Sequence, residues 1–146
     1  VLVGLGITFF CIYVFLSLFN PKIEVALSNG AVPLGEEVDV AWEVLGNARK
    51  IRKLDIHIQG EEIATYRRGT DTHTDTNTFR MIPIVSTEQS DEIPFGTTTV
   101  RIPADTMHSL DAGNNQIKWA IQVKGDIPWW PDVNESLIFR VRPFFQ

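Results

Sequence analysis

The chain has 146 residues, 44% hydrophobic and 21% charged, with 13 Lys and Arg against 18 Asp and Glu for a net charge of −5. That length holds one core and not two full domains, and the acidic balance argues against nucleic acid as a partner. The lone cysteine, Cys11, excludes a disulfide within the chain and reads as a small hydrophobe.

Residues 1–19, VLVGLGITFFCIYVFLSLF, carry no charge and end abruptly at Asn20, Pro21 and Lys22. Nineteen residues at a helical rise reach roughly 28 Å, close to the ~30 Å hydrocarbon layer of a bilayer. The run therefore predicts one N-terminal transmembrane helix over 1–19, with the lipid bilayer as its partner and a short junction at 20–22. A secretory signal fits less well, because Ser17, Leu18 and Phe19 make a poor cleavage site. Lys22 alone follows closely while Glu24, Glu36, Glu37 and Asp39 come soon after, which places the following domain on the extracytoplasmic side by the positive-inside preference.

From Lys22 onward the period is two, the signature of strands with one buried face. Ile23, Val25 and Leu27 alternate with polar or small residues before Asn29 and Gly30. Val38, Val40, Trp42 and Val44 alternate between Gly35 and Gly46. Leu54, Ile56 and Ile58 form a run that Gly60 closes, and a weaker strand follows at 63–66. Further strands are expected at 79–85 and 98–102, separated by the polar linker STEQSDEIPFG. The clearest alternation is Ile117, Trp119, Ile121 and Val123, repeated by Leu137, Phe139 and Val141. Seven or eight short strands with turn signals between them predict an all-β, two-layer antiparallel sandwich over 23–146.

Residues 100–143 contain an Ile-Pro strand end, a Ser before a turn, an Ile-x-Trp-x-Ile-x-Val strand and a final Phe-x-Val-x-Pro strand. This third of the chain resembles the latter part of an arrestin-like or immunoglobulin-like sandwich, of the kind carried by bacterial membrane proteins of unknown function. The resemblance implies a two-sheet domain. Antibody-type domains staple their sheets with a cysteine pair, which is missing here, so Trp42 and Trp119 are expected to fill that space. The phosphate-reading basic residues of arrestins have no place on this single sandwich, and that function is not carried over.

In GTDTHTDTNTF, residues 69–79, Asp71, His73, Asp75 and Asn77 recur at every second position and share one face of an extended segment. Carboxylates and imidazole suit a divalent metal, but Thr76 and Ile82 stand where a calcium loop wants Gly and Glu. A solvated strand end or polar loop is the simpler reading, with a metal- or small-ligand-binding sensor at 71–77 as the alternative function. His57, His73 and His108 are scattered, and no GxSxG, CxxC, HExxH or phosphate-binding glycine loop occurs. The chain thus reads as non-catalytic and without a cofactor. Its expected role is that of a membrane-tethered structural or protein-interaction module.

In GDIPWWPDVNE, Pro128 and Pro131 cannot continue a ladder and make a stiff loop around Trp129 and Trp130. Either at least one indole folds over the open end of the sandwich and caps its core, or one or both stay exposed as a membrane-interface anchor or a protein-partner contact at 127–131. An odd strand total puts this loop at the end where the first strand begins; a total of eight puts it at the far end.

Overall fold

The computed structural model describes residues 2–144. The outer ends of the two expected segments, residue 1 and residues 145–146, lie outside that range. Helix α1 spans Leu2–Ser17. At 1.5 Å per residue it is about 24 Å long, and among the described residues no helix is long and apolar enough to cross a membrane. This corrects the expected span over 1–19. The amides of Leu18 and Phe19 bond to Phe15 and Leu16, three residues back, so the chain has already left the α-helical ladder when Pro21 forbids its return.

Nine strands follow among the described residues: β1 (Lys22–Leu27), β2 (Ala31–Pro33), β3 (Glu37–Leu45), β4 (Lys53–Arg68), β5 (Asp71–Thr87), β6 (Phe95–Arg101), β7 (Leu110–Asp111), β8 (Asn115–Asp126) and β9 (Val133–Arg142). One sheet has the order β1-β3-β6; the other runs β2-β9-β8-β4-β5, with β7 on the side of β8. All pairings are antiparallel except β2 with β9, which is parallel. The sandwich is therefore mixed rather than purely antiparallel. β2 is a three-residue edge strand ending at Pro33, whose missing amide proton an edge tolerates.

Both sheets supply one buried cluster. Val38, Val40, Trp42 and Val44 come from β3, Leu54, Ile56 and Ile58 from β4, and Trp119, Ile121, Val123, Phe139 and Val141 from β8 and β9. Every second residue is buried along β3 and along the first half of β4, which is the pattern read from the sequence.

Gly60 does not end its strand. It lies inside β4, paired with Trp119 on one side and Arg80 on the other. A Cβ there would stand 2.7 Å from Phe79 Cζ and 3.2 Å from Trp119 Cζ2, so the glycine admits two aromatic rings over bare backbone. The rings themselves meet edge to face at 5.6 Å. Beyond Gly60, β4 continues with its partner β5 into a hairpin whose distal half is largely exposed. Arg68 pairs with Asp71 across a two-residue turn that opens on Gly69 at φ 68, the glycine position of a type II′ hairpin.

β1 and β2 both run away from α1, as do β6 and β7, so the two breaks in alternation cancel. The β8–β9 loop consequently returns to the end of the sandwich where α1 enters.

Candidate functional site

The α1 end of the sandwich gathers the junction at Asn20 and Pro21, a 3-10 turn at Ala48–Lys50 and the loop 127–132. The loop is a compact turn. The amide of Trp130 donates to the Ile127 carbonyl at 3.3 Å, and the amide of Ile127 donates to Asp132 Oδ1 at 3.2 Å. Pro128 follows Ile127 and Trp129 has φ 61, so the torsions and hydrogen bond are those of a type II turn with proline at its second position. The third position of such a turn is ordinarily glycine; here it is tryptophan.

The two indoles have separate fates. Trp130 is partly buried against the core cluster, with Lys50 Nζ 5.5 Å from its ring centroid. Its Nε1, like Asn20 Oδ1, is buried without a hydrogen-bond partner. Trp129 is 103% exposed. The capping expected of at least one indole is met by Trp130, while Trp129 stays on the surface. The side-chain amide of Asn20 donates to the Pro131 carbonyl at 2.7 Å and so ties the helix junction to this loop.

Charges beside the loop are largely paired. Arg52 bonds to Asp126, and this guanidinium contact holds the Asp126 carboxyl below the usual carboxylate range. Lys124 Nζ lies 3.9 Å from Asp132. Phe95 is 72% exposed at the same end, opposite Glu43 in the β3–β6 register. Nothing in the sequence singled out Lys50 or Phe95, and Asn20 marked only the end of an apolar run.

Asp71, His73 and Asp75 occupy the outer hairpin strand at the opposite end, paired with Arg68, Tyr66 and Ala64. Among the described residues no three His, Cys, Asp or Glu are grouped to hold a metal. His73 instead stacks on Tyr66 with centroids 5.7 Å apart, a cross-strand pair. The Tyr66 phenol bonds to Asp75, whose carboxylate raises the phenol above its usual pKa of 10.0.

Ser109 and His108 are engaged structurally. Ser109 Oγ accepts from the Val141 amide at 2.8 Å, and His108 Nδ1 lies 2.9 Å from the Ser109 carbonyl. A groove of about 450 Å³ nearby is lined by Leu110, Ile117, Trp119, Ile138 and Arg140 among others.

No protein-family model matches the chain, and no curated protein sequence matches it. Among solved structures, the chain is similar to the sporulation control protein Spo0M from Bacillus subtilis, with a TM-score of 0.56 and 19% sequence identity. The match covers 84% of this chain and 49% of the Spo0M chain, so this chain spans about half the length of that neighbour. The likeness establishes an arrestin-like β-sandwich fold.

Proposed function

We infer that the chain is a non-catalytic β-sandwich held at a membrane by α1 and serving as a structural or protein-interaction module. The observation that carries this reading is the surface of α1. Every described side chain from Leu2 to Phe15 is exposed and none is charged. A helix that is apolar all round is stable when lipid or protein covers it, and a patch of this extent is far larger than a soluble monomer ordinarily leaves in water.

The opposite end offers the interaction surface. The β4–β5 hairpin reaches past the core, and β5 ends its sheet with one edge unpaired, a template for an added strand. The scarcity of basic residues just after α1 supports a domain on the extracytoplasmic side.

Flotation of the full chain with phospholipid vesicles tests the tether. The wild type is expected to rise with the lipid, and Phe9→Lys, which puts a charge in the middle of the apolar surface of α1, to lower the floated fraction. A chain that stays in the aqueous fraction defeats the reading.

A further inference from the structure

We propose that Trp129 is an interfacial anchor: its indole, with the Lys50 ammonium beside the loop, enters the headgroup layer of a phospholipid bilayer, so that the α1 end of the sandwich rests on the membrane surface. The proposal builds on the membrane reading of α1 and assigns a second, separate contact.

The first support is placement. Asn20 leaves the helix and donates to Pro131, so any surface that covers α1 lies next to the tryptophan loop. Leu18 and Phe19, exposed by 75% and 59%, continue the apolar surface of the helix up to that junction.

The second is the conformation of the loop. A bulky side chain at φ 61 is strained, and full exposure wastes the apolar area of the largest side chain available. A connecting loop with no partner gains from neither, and glycine at this position removes both costs. The surrounding residues nevertheless impose the geometry: Trp130 packs on the core beneath, two prolines stiffen the flanks, and Asp132 closes the turn. An indole displayed on a rigid base loses little conformational freedom on docking.

The third is chemistry. Indole joins a flat apolar body to one N–H donor and concentrates at the boundary between hydrocarbon and headgroups. Lys50 is exposed and lies against Trp130, placing a cation where phosphate oxygens would meet it. Two acids of the loop and its flank are already occupied, Asp126 by Arg52 and Asp132 by Lys124. Asp91, on the β5–β6 connection, faces the 3-10 turn of Lys50 and lines a cleft with Asn47, Ala48 and Arg49. Lipid is favoured over a protein partner because the exposed indole is continuous with the apolar helix.

The test uses the full chain in vesicles of phosphatidylcholine and anionic phosphatidylserine, with and without brominated acyl chains. Four tryptophans emit, so the Trp129 signal is the difference between wild type and Trp129→Phe. That difference emission is expected to lose most of its intensity in brominated lipid. Trp130→Phe should leave the loss in place, and Lys50→Glu should diminish it, by about fivefold in the docking equilibrium for each basic residue removed. If the chain floats with the vesicles while Trp129 emission stays unquenched and water-like, the anchor is refuted and the tether stands. If the chain does not float, both fall.

Discussion

Asn20 and Pro131 are separated by 111 residues yet joined by a 2.7 Å hydrogen bond from side-chain amide to backbone carbonyl. The bond sets the apolar helix and the tryptophan loop at one end of the sandwich, leaving the long hairpin at the other. Asn20→Ala is expected to destabilise the domain by about 1 kcal/mol, the ordinary worth of such a bond. Denaturant unfolding of wild type and variant measures it, and an unchanged midpoint would show that the junction is not held this way.

Trp129 and Trp130 should respond in opposite directions. Trp129→Gly relieves a positive φ and is expected to stabilise the fold by about 1 kcal/mol. Trp130→Ala removes an indole packed on the core and should cost about 2 kcal/mol, less than a fully buried aromatic because the ring is only partly covered. Chemical unfolding of the two variants side by side gives the signs.

Gly60 and Gly96 are places where aromatic rings lie on the backbone. A Cβ at Gly96 would stand 2.3 Å from Trp42 Cζ2, directly across the β3–β6 pair. Gly96→Ala and Gly60→Ala are each expected to cost about 2 kcal/mol through displaced rings. Near-ultraviolet circular dichroism should change with the stability, since Trp42 and Trp119 are the rings that move.

Tyr66 provides a test by titration. Its folded pKa is raised above 10.0 by the bond to Asp75, so the neutral phenol is the form the fold favours. That contribution is complete below pH 10 and is lost as pH rises through the folded value. Tyrosinate absorbance should show one phenol titrating above its usual range, and Asp75→Asn should return it. Asp126, lowered by Arg52, has the opposite sign. Its contribution is present above the usual carboxylate range and disappears as pH falls through the depressed value.

Where burial alternates, strands were legible: Val38 to Val44 and Trp119 to Val123 are buried on the face their spacing marked, with Ile117 partly covered beside them. β2 left no such trace, because three residues at an edge carry no period, and its parallel register depends on β9 more than 100 residues later. Gly60 reads locally as a terminator, and only the approach of Phe79 and Trp119 explains its place inside a strand. The segment from Asp71 to Thr78 is polar on both faces, so alternation is silent there; β-branched threonines and pairing with β4 make it a strand. The Pro-Trp-Trp-Pro motif foretold a stiff loop, whereas the different fates of its indoles depend on Ile127, Asp132 and the core below.

Spin labels give the most direct test of a sandwich standing with its α1 end on the bilayer. In a Cys11→Ala background reconstituted into vesicles, nitroxides at Arg49→Cys and Thr70→Cys report collisions with lipid-soluble oxygen and with a water-soluble nickel chelate. The expected result is a label at 49 near the headgroups, with high oxygen and low nickel accessibility, and a label at 70 fully in water. Equal aqueous exposure at both positions, or the reverse order, would contradict it.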